Sequence, residues 1–572
     1  MYVGRNFETK DEFKIVLFIH AINQVFRFRF VRYKKCYLVA QCVDKLCDWR
    51  VYAHQIGDSE EYEVRKVKLE HICDVETRGQ FTKHATSKVM SALLRSKYVN
   101  VLGGPRARDL PEVVLGEHNV TASYWKCWKA RELAVASAQG TEESSYLLLP
   151  LYLHLLQVAN PGTVYHLLIE DDEVGEERFK FAFVALGASI QGLKYIRRVV
   201  VINRTHLHGK YNGCLLTASG QDANFQVFPI AFAIVDSENH DSWTWFMEKL
   251  KDIVHDGTDL TIISDRHQSI YHAKSLVYPR AHHGCCLVHL KCNIRSLYSR
   301  TVGLVWKAGE AFRVKDFNKW YGRIKKRKPQ CWKYLQKIGV AHWPRAHFKG
   351  ERYNLLTNNI AESLNHALLP ARDSPIVALI EFFRKMLSRW FESRRKKVTN
   401  CRGYISVEVE KFLKKQLKES IGVQVRLASA WDCEITAKDG QKFHVSLEKR
   451  TCTCRAFQLL QIPCSHAMAA AKARGLEYQS LVGHMHKKDT WRPTFDGVIL
   501  PLQDPSEVNV PECIMIRYIL PPETKRPPGR PPKTRIPSTG EFEKSKTSSK
   551  QNRCGRCNGL GHNRVRCSVP LR

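Results

Sequence analysis

Twelve cysteine and histidine residues are grouped in three clusters whose spacing suits a metal ion. The clusters are Cys42, Cys47, His71 and Cys73; Cys452, Cys454, Cys464 and His466; and Cys554, Cys557, His562 and Cys567. Each cluster offers four thiol or imidazole ligands, a set that holds a structural zinc ion in tetrahedral geometry. The sequence therefore predicts up to three structural Zn²⁺ sites. For the first cluster, the alternative is a group of ordinary core cysteines beside an unrelated histidine.

Two acidic residues, Asp265 and Glu362, indicate a second kind of chemistry. Asp265 ends a strand-like run that begins at Leu260, and Glu362 lies in a helical segment that Asn358 or Asn359 can cap. Carboxylates gathered at one sheet edge can hold Mg²⁺ or Mn²⁺, which activates water for attack on phosphodiesters. Asn203 directly follows another strand-like run, Val199–Ile202.

The elements around position 203 resemble the beginning of a ribonuclease-H-like fold. Strand-like runs over Val199–Ile202, Gly213–Ser219 and Val227–Val235 precede a helix, with Asp241 at the N-cap position, and the strand that ends at Asp265. The first and fourth strands of that fold are parallel neighbours, so residues 203 and 265 are expected roughly 5 Å apart. The long interval between Asp265 and Glu362 requires a helical insertion at about residues 290–355.

Five sequence blocks, taken in order, resemble the catalytic domain of Mutator-like (MuDR) transposases. The blocks are INRTHLHGKYNG, QVFPIAFAIVDSENHDSWTWF, IISDRHQSI, CCLVHL and NNIAESLNHALLPAR. The resemblance runs from about residue 7 to residue 480 and implies a DDE-type enzyme in which three carboxylates hold two divalent ions. Asp265 matches the second carboxylate and Glu362 the third. Cys286 and His289 match the Cys-x2-His element that follows the second aspartate.

The first carboxylate of this set is replaced by Asn203. The family pattern reads Asp-Gly-Thr-x-Leu-x-Gly, whereas this chain reads Asn-Arg-Thr-His-Leu-His-Gly over residues 203–209. Asparagine has the size of aspartate but is neutral, and Mg²⁺ prefers charged oxygen ligands. Asp236 and Glu238 follow the third strand, about 9–10 Å from the first, and Asp222 lies at the opposite end. None of the three is expected to compensate, so catalysis is predicted to be impaired.

Residues 1–95 are predicted to form a zinc-bound β-domain. A helix over Lys10–Val25 precedes strand-like runs, and His71 and Cys73 are expected on one face of a later strand because they are two residues apart. The first cluster resembles the zinc-stabilised sheet of WRKY and GCM-type DNA-binding domains, which also opens Mutator-like transposases. The resemblance implies that Trp49 and Arg50 face DNA. Residues 96–195 are predicted to be a helical linker domain without chemistry of its own.

The C-terminal part contains the other two clusters. Residues 396–500 resemble the SWIM zinc finger that follows the catalytic domain in this transposase family. Residues 501–550 are predicted to be a disordered, basic, Pro-rich linker. Its Arg526 and Arg530 resemble the arginines with which an AT-hook contacts the minor groove, although a plain basic polyproline linker explains them equally well. Residues 551–572 have the spacing of a CCHC zinc knuckle, a module that binds single-stranded nucleic acid.

Composition supports a nucleic-acid partner. The chain has 90 Lys and Arg against 56 Asp and Glu, a net charge of +34 over 572 residues. This surplus of positive charge favours duplex DNA as a partner, and terminal inverted repeats are one such duplex. Single-stranded nucleic acid is the partner expected for the knuckle, and a homo-oligomer is a further expectation. No secretory signal is visible and no apolar stretch reaches the ~20 residues that span a bilayer. We therefore expect no membrane partner, an intracellular protein with reduced cysteines, and a nuclear location.

Together, these features predict a multidomain α/β protein. Its ribonuclease-H-like (DDE transposase) core, residues 196–395, carries the helical insertion and is flanked by the N-terminal zinc β-domain and the SWIM and CCHC modules. Three functions remain open: a transposase-derived, DNA- and zinc-binding protein with impaired DDE catalysis; an active Mutator-like transposase that tolerates Asn203 and carries out metal-dependent DNA cleavage and strand transfer; and an RNA-binding zinc-knuckle protein.

Overall fold

The structure is a computed structural model that describes residues 1–74, 76, 79–98 and 104–523. The third Cys/His cluster, Arg526 and Arg530 lie outside the described residues. In the part of the chain that the structure describes, no helix is both long enough and apolar enough to cross a membrane.

The N-terminal part is an antiparallel sheet with one long helix packed on it. Its elements are β1 (Asn6–Phe7), α1 (Lys10–Asn23), β2 (Phe28–Tyr33), β3 (Tyr37–Cys42), β4 (Arg50–Gln55), β5 (Tyr62–Lys68) and α2 (Ser87–Leu94), and the strand order is β1-β5-β4-β3-β2. The Thr9 hydroxyl caps α1 by accepting from the Glu12 N–H at 3.2 Å. The strand expected at His71 and Cys73 is absent: β5 ends at Lys68, and both residues lie in the following loop.

The next segment is helical only in its first part. Helices α3 (Leu110–His118), α4 (Tyr124–Gln139), α5 (Glu142–Leu147) and α6 (Leu149–Ala159) are followed by β6 (Val164–Asp171), β7 (Glu177–Ala185) and α7 (Gly187–Gly192). The prediction of a helical linker over residues 96–195 is therefore wrong from residue 164 onward. Phe179, Phe181 and Phe183 recur every second residue and are buried, so β7 belongs to the central sheet and the boundary at residue 195 cuts through that sheet.

The central sheet has seven strands and mixed direction. Its remaining elements are β8 (Val199–His206), β9 (Cys214–Gln221), β10 (Val227–Val235), α8 (His240–Lys251), β11 (Thr261–Ser264), α9 (Gln268–Val277) and β12 (His282–Cys285). The order is β12-β11-β8-β9-β10-β7-β6, with β11 parallel to both β8 and β12 and the other pairs antiparallel. The N-cap of α8 is Asn239, whose side chain accepts from the Ser242 N–H at 2.8 Å, and not Asp241 as predicted.

Helices interrupt the chain between the central sheet and Glu362, as expected. They are α10 (Leu287–Tyr298), α11 (Val302–Glu310), α12 (Val314–Arg327) and α13 (Pro329–Ile338); α14 (Asn359–Ala367) and the long α15 (Ile376–Asn400) follow. The insertion has its own core, which includes Phe317, Ile324, Leu335 and Trp343. It therefore packs as a separate helical body beside the sheet.

A second small sheet lies in the finger region, residues 407–486. Its elements are α16 (Val407–Glu419), β13 (Gln424–Leu427), β14 (Asp432–Thr436), β15 (Lys442–Ser446), β16 (Thr451–Cys452), α17 (Ala456–Leu460) and α18 (Ser465–Ala473). The four strands pair antiparallel in sequence order. Beyond the finger region, the chain contains α19 (Lys488–Trp491) and α20 (Glu512–Met515).

The chain returns to the central sheet after the finger region. Leu500 accepts from the Asn160 side chain at 3.3 Å and donates to it at 2.8 Å. Further on, the Leu520 N–H donates to the Glu177 carbonyl and its own carbonyl accepts from the Phe179 N–H, both at 2.9 Å, while Ile519 is buried. The prediction of a disordered linker from residue 501 is thus wrong up to residue 523.

Trp491 makes another of these return contacts. Its ring is fully buried, and its indole N–H donates at 3.2 Å to the buried Asp222 carboxylate, which also accepts from the backbone N–H groups of Asn224 and Gln226. We expect Trp491→Ala to cost about 3–5 kcal/mol, the usual loss for deleting a buried aromatic ring, because it also removes a donor from a buried carboxylate. Thermal unfolding measures this, with Trp125→Ala as control, since Trp125 is 72% exposed. Equal losses in the two variants would contradict the assignment.

Candidate functional site

The first Cys/His cluster joins three segments of the N-terminal sheet. Cys42 ends β3, Cys47 lies in the turn before β4, and His71 and Cys73 lie in the loop after β5. The thiols of Cys42 and Cys73 are 3.8 Å apart, and the His71 Nδ1 lies 3.3 Å from the Cys47 sulfur and 3.7 Å from the Cys73 sulfur. Tetrahedral zinc places its sulfur ligands about 3.8 Å apart, and sulfur and nitrogen about 3.6 Å apart. The donor set therefore fits a zinc ion.

The surroundings of this cluster are apolar. Trp49 stacks on the His71 ring at 5.7 Å and 8°, and Phe26 lies 4.5 Å from the same ring. Burial raises the pKa of the Cys42 thiol to about 12, so a bound cation is needed to keep it a thiolate. Trp49 is fully buried, and the prediction that it faces DNA is wrong, because its ring fills the core behind the ligands. Arg50 is exposed on β4.

The second cluster lies where the small sheet meets α18. Cys452 ends β16, Cys454 lies in the next turn, Cys464 is the N-cap of α18, and His466 lies in the first turn of that helix. The Cys454 and Cys464 sulfurs are 3.5 Å apart, and the His466 Nδ1 lies 3.7 Å from the Cys452 sulfur and 3.9 Å from that of Cys464. Phe443 stacks on the imidazole at 3.9 Å. These distances again fit tetrahedral zinc.

Among the described residues, these two clusters are the groups of three or more His, Cys, Asp or Glu side chains that could hold a metal ion. In each cluster the four ligand atoms lie within 4.8 Å of one another. Both histidines turn Nδ1 toward the sulfurs. The two four-ligand sets predicted for these regions are therefore brought together as sets by the fold.

Position 203 and Asp265 lie at the same edge of the central sheet. In the parallel pair of β8 and β11, Val201 is opposite Ile263. Asn203 and Asp265 each follow two residues later in the same direction, so they lie side by side. The Asn203 side-chain oxygen accepts from the Arg204 N–H at 2.9 Å. Asp265 accepts from the His267 N–H at 3.2 Å. The juxtaposition predicted from strand order is thus present, with an amide in place of one carboxylate.

Glu362 lies in the first turn of α14, a helix that packs against β8. The Asn365 side chain on the same helix donates to the Arg204 carbonyl at 3.3 Å, which ties α14 to β8. The His289 Nε2 lies 3.9 Å from a Glu362 carboxylate oxygen. The helix that carries the third predicted carboxylate therefore crosses the strand that carries Asn203.

Cys286 and His289 hold the start of α14. The buried Cys286 thiol donates to the Asn358 side-chain oxygen at 3.0 Å and accepts from its N–H at 3.3 Å, and the His289 Nδ1 lies 3.3 Å from the Asn358 amide nitrogen. Asn358 is the N-cap residue of α14, but its side chain makes no capping bond because it is turned to this pair. Within the described residues, neither member of the Cys-x2-His pair belongs to a Cys/His cluster of four.

A buried ion network stands beside Asn203, and the sequence reasoning missed it. Glu238 has a side chain only 7% exposed; it forms an ion pair with Arg204, and its Oε2 lies 3.6 Å from the His267 Nε2. Burial raises the pKa of Glu238, and the nearby Asp265 carboxylate raises it further, whereas Arg204 and His267 lower it. Strand spacing did not predict this contact, because long arginine and glutamate side chains can meet between strands that are not neighbours. One feature of the sequence could have indicated the network: Arg204 stands where the family pattern has glycine.

Three segments of the chain match known families, in the order in which they occur. Residues 1–64 match the MuDR family transposase, residues 199–293 the MULE transposase domain, and residues 443–475 the SWIM zinc finger. The MULE match covers β8 to β12 and the start of α10. The SWIM match includes all four ligands of the second cluster. The Cys/His clusters and the SWIM match together suggest zinc binding.

One curated relative is also similar over much of the chain. It is protein FAR1-RELATED SEQUENCE 6 of Arabidopsis thaliana, 20% identical over 380 residues, an alignment that covers 57% of this chain and 52% of the relative. The chain thus spans about half the length of the relative that it matches.

Proposed function

We propose that this chain, which carries MuDR, MULE and SWIM domains of transposase-derived proteins, is a zinc-containing DNA-binding protein whose DDE catalysis is impaired. The observation that carries this proposal is Asn203 at the sheet edge beside Asp265, both inside the MULE match, with the Glu362 helix packed on the same strand. We further propose that it works in the nucleus and that the domains follow the predicted division, with the central one extended to include β6 and β7.

The proposed core is ribonuclease-H-like. An antiparallel β8-β9-β10 meander, a helix, and two strands parallel to β8 support this assignment. The resemblance then gives Asp265 and Glu362 the role of ligands for Mg²⁺ or Mn²⁺, which would supply the positive charge that activates water when bound. The chain itself positions the helix that carries Glu362: α14 is fixed to β8 through Asn365 and to Cys286 and His289 through Asn358.

Two changes at the end of β8 support impaired catalysis. Asn203 removes a negative charge from the proposed metal site, and its oxygen is engaged by a backbone N–H. Arg204 brings a positive charge to the same edge and pairs with Glu238. A fixed guanidinium near a cation site raises the electrostatic cost of binding a divalent ion. Both changes act in the same direction.

Glu238 also favours the second candidate function, an active transposase. Its carboxylate is near enough to Asp265 for the two charges to interact, so Glu238 is a candidate to replace the lost ligand. We rank this candidate lower because Arg204 already forms an ion pair with Glu238.

DNA binding is supported by a row of side chains across the N-terminal sheet. Arg29 pairs with Gln41, Gln41 with Arg50, and Arg50 with Lys68 in the registers of β2 to β5, so all four share one face. The three cations are exposed, and Lys68 also forms an ion pair with the exposed Asp48 carboxylate. Their spacing of about 4.8 Å per strand gives a line of positive charge that suits a phosphate backbone.

We expect Arg29→Ala/Arg50→Ala to weaken binding of the full chain to a duplex about tenfold or more, and to lower the slope of log K against log salt by about two, one per lost phosphate contact. Fluorescence anisotropy at several salt concentrations measures both quantities. Lys34→Ala/Lys35→Ala removes the same charge from the β2–β3 turn and serves as the control. If the wild-type chain fails to bind duplex DNA, the proposed function is wrong.

A further inference from the structure

The helical insertion carries a large share of the charge of the protein. Residues 291–338 contain fourteen Lys and Arg against two acidic residues, a net charge of +12 in 48 of the 572 residues, out of +34 for the whole chain. Arg313, which pairs with Asp316 at 2.6 Å, is the one cation of the fourteen that forms an ion pair with a carboxylate within the described structure. Like charges gathered on one small body repel each other, so this surface suits a polyanionic partner.

Three tryptophan rings fix these cations between neighbouring helices. The pairs are Lys291 with Trp306, Lys307 with Trp320, and Lys325 with Trp332, with the nitrogen 5.0, 4.7 and 4.8 Å from the ring centroid. They link α10 to α11, α11 to α12, and α12 to α13. Arg323 lies over the Trp320 ring as well, at 4.7 Å. Cation–π contacts of this kind hold long flexible side chains in place, so the insertion presents ordered charges.

The rings themselves offer little free area. All three are half-buried, they pack on the core of the insertion, and a cation covers a face of each. Proteins that bind single strands use open aromatic faces on which bases stack. A surface of ordered cations over covered rings instead suits the phosphate backbone of a duplex.

The charged surface continues to the second Cys/His cluster. A cleft of about 480 Å³ lies between the insertion and the finger region, with Lys307 and Trp320 on one side and Phe443 and His466 on the other. Arg313 bridges the two sides, since its guanidinium lies 5.2 Å from the Phe443 ring and donates to the Gln441 side chain at 3.1 Å. The finger region is thereby held against the basic surface.

We propose that the helical insertion, residues 291–338, is a second binding surface for duplex DNA, which contacts the phosphate backbone without reading sequence and extends to the finger region. This inference rests on the proposed function and assigns it a surface outside the N-terminal sheet. If the inference is right, the affinity of the protein for DNA depends on these cations and does not depend on the DNA sequence. The affinity is also higher for a duplex than for a single strand.

The test uses the full-length chain and a 30-base-pair duplex of arbitrary sequence, with one of its strands as the single-stranded probe. We expect Lys307→Gln/Lys319→Gln/Arg323→Gln to weaken duplex binding about tenfold or more and to lower the slope of log K against log salt by about three. Glutamine keeps most of the aliphatic stem over Trp320. A second triple variant, Lys315→Gln/Lys326→Gln/Lys333→Gln, repeats the test outside the three tryptophan pairs.

The control removes the same charge from another helix. Lys385→Gln/Lys396→Gln/Lys397→Gln lies on α15, where Lys385 and Lys396 already pair with Glu381 and Glu392 at 3.4 and 3.2 Å, and we expect less than a twofold change. Equal weakening in the control and the insertion variants, or tighter binding of the single strand, would overturn the inference. If the insertion variants bind the duplex as tightly as the wild type while Arg29→Ala/Arg50→Ala binds it more weakly, the inference fails and the proposed function stands.

Discussion

Asn203→Asp combined with Arg204→Gly is expected to complete a divalent-metal site at the edge of the central sheet. The first change returns a carboxylate beside Asp265, and the second removes the guanidinium that pairs with Glu238. We expect metal-dependent nicking of duplex DNA to rise at least about a hundredfold over the wild type, which corresponds to about 2.7 kcal/mol of transition-state stabilisation. Titration calorimetry with Mn²⁺ and conversion of supercoiled plasmid to open circle measure binding and chemistry separately.

The single variants show which change matters more. Asn203→Asp alone is expected to give a smaller gain, because Arg204 still neutralises Glu238 at the same edge. Arg204→Gly alone restores no ligand and serves as the matched control. A double variant that binds Mn²⁺ no better than the wild type would contradict the assignment of this edge as a former metal site. A wild-type chain that loses nicking on Glu238→Gln would instead support the active transposase.

Loss of one zinc ligand is expected to have the second large effect. Cys464→Ser should lower the zinc content by one ion per chain and unfold the finger region, because Cys464 is both a candidate ligand and the N-cap of α18. Structural zinc contributes about 10–16 kcal/mol of apparent binding free energy in small zinc modules, more than this four-stranded sheet can replace. Elemental analysis and limited proteolysis measure the two effects, and Cys47→Ser is expected to do the same in the N-terminal sheet.

The control for these variants is an exposed cysteine outside both clusters. Cys36 is exposed and lies between β2 and β3 of the N-terminal sheet. The zinc content and the proteolytic pattern of the Cys36→Ser variant should therefore match those of the wild type. Unchanged zinc content in Cys464→Ser would contradict the four-ligand assignment.

Much of the central sheet could be predicted from the sequence because its strands have distinct signals. The β-branched run of β8, the apolar run of β10 and the turn between β9 and β10 are local patterns, and the strand order brings Asn203 beside Asp265. The hairpin of β6 and β7 was missed because its first strand, Val164–Asp171, contains consecutive leucines that also suit a helix. The four residues of β12 contain no apolar run, and their pairing depends on β11 being already in place.

In the candidate sites, too, some residues could be predicted from local spacing and others depend on contacts between distant segments. The eight ligands in the described clusters could be predicted because zinc fixes both residue type and spacing. Trp49 was misassigned although strand alternation places Trp49 and Arg50 on opposite faces, so one of the two had to be buried. The contact of Glu238 with Arg204 could not be predicted from strand spacing, because it depends on the path of the loop after β10. The covered tryptophans of the insertion likewise depend on which helices become neighbours.

We expect the wild-type chain to bind duplex DNA through a transposase-derived fold without cutting it. The most direct measurement incubates wild-type protein with supercoiled plasmid in Mg²⁺ or Mn²⁺, at concentrations where a mobility shift shows that the plasmid is fully bound, beside Asn203→Asp/Arg204→Gly. We expect bound, uncut plasmid for the wild type and open circles for the double variant. Robust nicking by the wild type, equal to that of the double variant, would contradict it.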